Sequence, residues 1–363
     1  MNLSDFHYAL PAGAIAQEPV NPRDHSKLLV LDRRSTTVQH KHFYDLVDIL
    51  RPGDFLVTNS TKVFPARLRG RKKSGGKIEV LLLSPSLLAG EAVSWRALVR
   101  GTTKPTELVF PEGVSALMTN RLDNGEWTLQ FSRNGLRSYL DRHGEMPLPP
   151  YIKRSAPKAT DLVRYQTVYA ETEGAVAAPT AGFHFTPDLL ERIHAKGVTV
   201  RSVVLHVGWG TFRPVRTERI EDHQMLPESY EVSEIVAEEL NAARREHRRL
   251  IAVGTTAVRT LETVCDASGV FHGGRGAADL FIYPGYRFKA VDALITNFHL
   301  PDSTPLLLAC AFYASPGLAA PSPVGRGTAE PRVRQPFSLR SAYEEAIREG
   351  YRFYSYGDAM FIE

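Results

Sequence analysis

The stretch Leu250-Ile251-Ala252-Val253-Gly254-Thr255-Thr256-Ala257-Val258-Arg259-Thr260-Leu261-Glu262-Thr263-Val264 decides the fold class. Four apolar residues read as a buried strand. A glycine and two hydroxyl residues follow, and then Val258, Leu261 and Val264 recur at helical spacing. Strand, polar-glycine turn and helix in that order make an α/β unit, and ligands of α/β sheets bind outside the carboxyl ends of the strands.

The same rhythm extends on both sides. Thr186-Pro187-Asp188 is a helix start with a capping hydroxyl, proline at the first position and an acid in the first turn. That helix stops at Gly197, and the apolar strand 198–207 follows. A second helix over 233–249 is expected to place Ile235, Val236, Leu240 and Ala243 on one face, with Arg244, Arg245, Arg248 and Arg249 solvated at its end. Leu28–Leu31 and Phe55–Thr58 read as strands, Phe43–Leu50 as a short helix, Ser338–Glu349 as a helix and Tyr351–Ser355 as β-like.

Between residues 67 and 132 the texture differs. Short β-rich runs at 77–83, 94–99, 107–110, 115–122 and 127–131 are separated by glycine- and proline-bearing turns. This predicts a small antiparallel barrel. The expected architecture is therefore a mixed-sheet, barrel-like α/β domain formed by 1–66 and 133–363, with an all-β domain inserted at 67–132. The segment 316–337, rich in Pro, Gly and Ala and carrying Arg326, Arg332 and Arg334, reads as a flexible loop.

Composition sets the outer limits. The chain has 363 residues, 43% of them hydrophobic, and a formal charge of only +4. That surplus is compatible with a nucleic-acid partner without requiring one. Cys265 and Cys310 are far apart and sit in apolar runs, so both read as core residues of a protein in a reducing compartment. No export signal or membrane-length apolar run is present, and the expected location is the cytoplasm.

Common catalytic signatures are missing. The twelve histidines show no zinc spacing, and no metal is expected. There is no P-loop, dinucleotide-binding glycine motif or nucleophile elbow. What remains is a set of polar-glycine blocks at expected strand ends. Thr180, Gly182, His184 and Phe185 lie in one, and His206, Gly208, Gly210, Thr211 and Phe212 in another. Gly254, Thr255, Thr256 and Arg259 form a third, and Thr296, Asn297 and His299 a fourth. Glu221-Asp222-His223, Glu262, Tyr356 and Asp358 add carboxylates, an imidazole and a phenol. Each block taken singly fits a structural role; several at strand ends favour one shared site. Lys72, Lys73 and Lys77 read as solvated lysines of a hairpin turn and, with Arg67 and Arg71, are the candidates for RNA contact.

In order, these blocks resemble the S-adenosylmethionine:tRNA ribosyltransferase-isomerases of queuosine biosynthesis. The resemblance runs nearly end to end. It includes Asn59 with Thr61-Lys62-Val63, Gly144–Ile152, Tyr165–Tyr169, Gly174–Phe185, His206–Phe212, Gly254-Thr255-Thr256 with Arg259 and Glu262, Ile282–Gly285, Thr296–Pro301 and Ser355–Ile362. It implies an α/β domain with a smaller barrel, S-adenosylmethionine consumed as substrate with no further cofactor, and tRNA bearing 7-aminomethyl-7-deazaguanine as acceptor. The implied products are epoxyqueuosine in tRNA, adenine and methionine; apart from the resemblance, the chain is expected to be a monomer.

Such chemistry requires a base for a ribose C5′ proton acidified by the sulfonium, together with hydrogen-bond donors for the leaving adenine. His184, His206, His223, His299, Glu262 and Asp358 are the candidates, with His184 and His206 foremost. Two departures stand out. Leu226 replaces a histidine of the family's pattern, where a peripheral role is expected, and Ser60 replaces an acidic residue or asparagine. A methyltransferase, releasing S-adenosylhomocysteine, and a non-catalytic RNA-binding protein are the rival readings.

Overall fold

The structure, a computed structural model, describes residues 1–85, 94–212, 214–315 and 337–363. The loop read at 316–337 lies outside the described residues except for Phe337, which is buried against Tyr8 and Tyr343.

Two compact units emerge. One comprises Met1–Ser60, Thr167–Glu171 and Pro179–Glu363, the other Thr61–Gln166 and Thr172–Ala178. In chain order, β1 (Lys27–Leu31), β2 (Val38–His42) and β3 (Phe55–Asn59) open the first unit. The second unit follows with β4 (Thr61–Val63), β5 (Arg67–Lys72), β6 (Lys77–Pro85), β7 (Ser94–Arg100), β8 (Glu107–Val109), β9 (Ser115–Arg121), β10 (Trp127–Phe131) and β11 (Thr172–Ala175). The first unit resumes with β12 (Thr199–Leu205), β13 (Glu228–Val232), β14 (Leu250–Val253), β15 (Gly274–Ala278), β16 (Ala293–Asn297) and β17 (Ala359–Ile362).

The first unit is built on a nine-stranded mixed sheet in the order β15-β13-β12-β3-β14-β16-β17-β1-β2. Strand β3 is parallel to β12 and β14, and β14 is parallel to β16. Strands β13 and β17 run antiparallel to β12 and β16. The carboxyl ends of β12, β3, β14 and β16 therefore share one edge of the sheet, with the starts of β13 and β17.

Period-2 alternation sorts the core. Phe55, Val57, Leu250, Ala252 and Leu294 face the helices Glu234–Arg245, Thr255–Val264, Thr304–Ala314 and Arg340–Arg348. Leu56, Ile251, Val253, Ala293 and Ile295 face the helix Pro187–Ala195 and the short helix Leu46–Ile49. The Thr186 hydroxyl accepts from the Leu189 N–H, as the sequence predicts, and Gly197 turns the chain at φ +85°. Cys265 and Cys310 are both buried and free.

Three expectations change. Ile235 is 70% exposed while Val236, Ala237, Leu240 and Ala243 are buried; adjacent helix residues point about 100° apart, so Ile235 and Val236 cannot share a face. Arg248 and Arg249 are not solvated. The Arg248 Nε donates to the Gly53 carbonyl at 2.6 Å, and Arg249 grips Asp54 bidentately at 2.8 and 3.1 Å. The last strand is Ala359–Ile362, and 351–355 contributes only an isolated bridge at Phe353.

The second unit holds a closed six-stranded barrel in the order β10-β7-β6-β5-β8-β9. Five of its strands match the β-rich runs of the sequence. The sixth, β5, has a charged reading that hides it: Leu68 is buried while Arg69 and Arg71 point outward. A Cβ on Gly70 would sit 2.6 Å from the Val109 carbonyl oxygen and 2.7 Å from a Phe110 ring carbon, so β5 closes the barrel only with glycine there. This unit reaches past 67–132. Tyr139 and Leu140 of the helix Leu136–His143 are buried, and the Tyr139 hydroxyl donates to the Pro111 carbonyl at 3.1 Å.

Candidate active site

A pocket opens at the shared strand-end edge of the first unit. Thr255, Thr256 and Arg259 of one helix and Thr304, Pro305 and Leu308 of another line it, joined by Thr211, Met225, Leu280, Phe281 and Ile282. The walls are thus apolar with four hydroxyls. The first residues of two helices contribute to it, and neither Gly254 nor Ser303 caps its helix with a side chain. Backbone N–H groups at such ends favour electron-rich ligand atoms.

Gly254 joins β14 to the helix at φ +89°, ψ 155°, a conformation that penalises any side chain. This sharp turn brings Thr255 and Thr256 to the pocket. Asn59, at the end of β3, holds the arrangement from below. Its amide nitrogen donates to the Leu205 carbonyl at 3.0 Å and the Thr256 Oγ1 at 3.2 Å, while its oxygen accepts from the Leu205 N–H at 3.1 Å. The Thr256 oxygen is thereby an acceptor, which leaves its own O–H to donate.

The densest polar contact lies in the pocket wall. Glu228 and Arg259 are 5% and 6% exposed and form a direct ion pair. Glu228 Oε1 also accepts from the Gly208 N–H at 2.7 Å and from the Thr211 hydroxyl at 3.2 Å. Arg259 donates from Nη2 to the Ala278 carbonyl at 2.8 Å and from Nε to the Leu280 carbonyl at 3.2 Å. Gly210 packs beside Leu226: a Cβ there would lie 3.1 Å from Leu226 Cδ1. The leucine that departs from the family pattern therefore makes an apolar contact one residue from pocket-lining Met225. The Phe212 side chain lies outside the described residues.

The four candidate imidazoles fall into different environments. His206, at the end of β12, is half-buried. Burial lowers its pKa against an opposing pull from Glu231, so its ring is neutral at pH 7. His223 is half-buried and meets the pocket residue Phe281 edge-on at 5.2 Å between centroids.

His184 is buried, stacked on Phe43 at 4.9 Å, with its Nδ1 2.7 Å from the Ser26 hydroxyl. Burial pulls its pKa down to about 3, outweighing the side chain of Asn297, which favours the charged form. His299 is buried too, with its Nε2 3.2 Å from Thr296 Oγ1 and its pKa lowered to about 3 by burial. Its backbone is tied to Tyr343 and Tyr8. Both are neutral rings set into the core.

Several other candidates are already occupied. Glu262 is buried and accepts from the Lys289 N–H at 3.0 Å, the Ala290 N–H at 2.9 Å and the Tyr286 hydroxyl at 3.1 Å. Asp358 accepts from the backbone N–H groups of Lys27 and Arg352 at 3.0 and 2.7 Å. Both carboxylates fasten backbone segments. Phe185 packs edge-on against Phe43 in the core, Asn297 donates to the Tyr354 carbonyl at 2.8 Å, and Tyr356 packs on Phe183. Thr180 and Gly182 belong to a buried turn, where a Cβ on Gly182 would meet the Tyr169 hydroxyl at 2.0 Å.

On the barrel, Lys72–Gly76 is the expected hairpin, with the Lys72 N–H donating to the Gly76 carbonyl at 2.7 Å and Gly75 at φ +100°. Lys77 is exposed, whereas Lys73 is paired with Glu107 at 2.7 Å, and Arg67 donates to the Leu148 carbonyl at 2.7 Å. Among the described residues no group of three or more His, Cys, Asp or Glu side chains is placed to hold a metal ion, and no helix is long and apolar enough to cross a membrane.

Sequence reasoning singled out Thr211, Thr255, Thr256 and Arg259, which line this pocket, and Gly208 and Gly254, which shape the turns beside it. It missed Glu228, a lone acid after Pro227 with no motif around it, and gave Asn59 no role in the site, although its position closing an apolar strand was a usable signal.

Comparison with known proteins draws these observations together. A family model described as queuosine biosynthesis protein matches residues 3–320 and 334–362. An S-adenosylmethionine:tRNA ribosyltransferase-isomerase of Moorella thermoacetica is 51% identical over 369 residues, covering 100% of both chains. Proteins of the same name from Geobacter sulfurreducens and Thermotoga petrophila are 48% and 46% identical, again over 100% of both chains. The crystal structure of an S-adenosylmethionine tRNA ribosyltransferase from Thermotoga maritima, 36% identical, aligns with a TM-score of 0.52 over 99% of this chain and 100% of that one.

Proposed function

The chain belongs to the queuosine biosynthesis protein family, and on that premise we infer that it is an S-adenosylmethionine:tRNA ribosyltransferase-isomerase. It transfers and isomerises the ribosyl part of S-adenosylmethionine onto 7-aminomethyl-7-deazaguanine at the wobble position of tRNA. The observation that carries this reading is the full-length likeness to proteins of that name, joined to a strand-end pocket built from the blocks that bear the resemblance.

The pocket takes S-adenosylmethionine. Leu280, Phe281, Ile282 and Leu308 offer apolar surface for the purine, and the hydroxyls of Thr211, Thr255, Thr256 and Thr304 suit the sugar and amino-acid groups. His206 is the base. Of His184 and His206, the two foremost candidates, it is the one left half-open, at the end of β12, with burial lowering its pKa, whereas His184 is closed into the core, as is His299. Proton removal from C5′ gives a sulfur-stabilised ylide. Adenine leaves C1′ as it gains a proton, and the acceptor amine bonds to C1′ and releases a proton. The bond between C1′ and the ring oxygen then breaks as the ylide carbon C5′ bonds to C1′ and closes the carbocycle, and the freed oxygen displaces methionine from C5′ to close the epoxide.

Each step balances with S-adenosylmethionine as the sole co-reactant, so no further cofactor is invoked. The barrel hairpin, with Arg71, Lys72 and Lys77, supplies phosphate contacts to the tRNA. The protein works as a monomer in the cytoplasm.

The test is one reaction with an anticodon stem-loop bearing the modified guanine. Adenine and methionine should appear in equal amounts, with epoxyqueuosine in the RNA. S-adenosylhomocysteine as the by-product would overturn the assignment in favour of methyl transfer. His206→Gln should abolish turnover and the exchange of C5′ deuterium with water, while leaving S-adenosylmethionine binding intact.

A further inference from the structure

Among the described side chains that line the pocket, Arg259 alone carries a formal charge. Two helix amino termini add positive potential to the same space. The ligand assigned to it carries a sulfonium. A buried guanidinium and a cationic ligand in a low-dielectric pocket repel each other strongly unless an anion intervenes.

Glu228 is that anion. It is 5% exposed, pairs directly with Arg259, and spends its other oxygen on the Gly208 N–H and the Thr211 hydroxyl. We propose that Glu228 is a positioning and specificity-determining residue, cancelling the charge of Arg259 so that the pocket accepts a sulfonium, and holding the 208–211 turn in place.

The proposal rests on the assignment of S-adenosylmethionine to this pocket. It separates two functions of one carboxylate. Glu228→Gln keeps an acceptor for Gly208 and Thr211 but removes the charge, leaving Arg259 uncompensated. Glu228→Gln combined with Arg259→Met removes both charges.

The experiment is calorimetric titration of the full chain with S-adenosylmethionine and with S-adenosylhomocysteine, whose sulfur is neutral. Fold is followed by thermal melting. In Glu228→Gln, affinity for S-adenosylmethionine should fall at least tenfold and affinity for S-adenosylhomocysteine less than threefold. The double variant should recover most of the lost preference for the cation. Equal loss of both ligands, or no loss of either, at an unchanged melting temperature would overturn the charge-compensating role. If Glu228→Gln does not fold, the Arg259→Met single variant reads the same balance from the other side: it must bind S-adenosylmethionine relatively better than the neutral analogue, and an unchanged ratio overturns the proposal. Failure of the unaltered protein to bind either ligand would instead strike at the pocket assignment itself.

Discussion

Mild acid should destabilise this protein for a reason visible in its core. His184 and His299 are 3% and 6% exposed, and burial lowers both pKa values from 6.5 to about 3. The native state therefore keeps both rings neutral, while the unfolded chain protonates them below its own pKa. For a group whose folded pKa is depressed in this way, the unfolded state binds more protons between the two values, so stability falls as pH falls from 6.5 toward 3. At pH 5 each histidine costs about 2 kcal/mol relative to pH 7.5, from about 1.4 kcal/mol per unit over the one and a half units crossed. Together they cost about 4 kcal/mol, a large fraction of an ordinary domain's stability of about 5–15 kcal/mol. Urea unfolding at pH 7.5, 6.0 and 5.0 measures this directly, in a range above the usual titration of carboxylates. Replacing His184 with Gln should lower stability at pH 7.5 but remove about half of the slope, and His299→Gln the other half. A slope unchanged by either replacement, or stability that rises on acidification, would refute the reasoning.

Three further perturbations act on backbone and buried charge. Gly254→Ala puts a side chain at φ +89° and should cost about 1–3 kcal/mol, with a higher KM for S-adenosylmethionine because Thr255 and Thr256 shift; steady-state kinetics and melting report both. Gly182→Ala drives a Cβ to 2.0 Å from the Tyr169 hydroxyl and 2.7 Å from Thr167. It should cost about 1–3 kcal/mol by overpacking, and adding Tyr169→Phe should restore part of the loss in chemical unfolding. Asp54→Ala leaves Arg249, 14% exposed on its side chain, with Glu363 as its remaining carboxylate partner, and should cost about 1–3 kcal/mol. The double variant Asp54→Leu with Arg249→Met should be closer to the parent in urea midpoint.

The parts of this fold that sequence disclosed are those in which one local rule acts. Apolar runs marked β1, β3, β12, β14 and their helices, because a buried strand and an amphipathic helix each repeat their own period. The capping hydroxyl of Thr186 marked a helix start for the same reason. Where two rules compete, the reading failed. The run Arg67–Lys72 looks solvated because its outward residues are basic, yet barrel closure requires its inward Leu68 and Gly70. The cations after the helix 234–245 look like a solvated end, yet Asp54, Glu363 and the Gly53 carbonyl capture Arg248 and Arg249 from remote parts of the chain.

The site shows the same division more sharply. Glycines and threonines at strand ends are visible in one dimension because their local conformation is what matters. Carboxylate roles are not, because a carboxylate is defined by its partners. Glu262 and Asp358 read as candidate acids in the sequence, and in the structure each accepts from backbone N–H groups. Glu228 looks like nothing until residues 208, 211 and 259 converge on it. Of these three acids, Glu228 is the one that pairs with pocket-lining Arg259. The opposite placement, with Glu262 or Asp358 as the essential anion, predicts that Glu228→Gln leaves the preference for a sulfonium over a neutral thioether untouched.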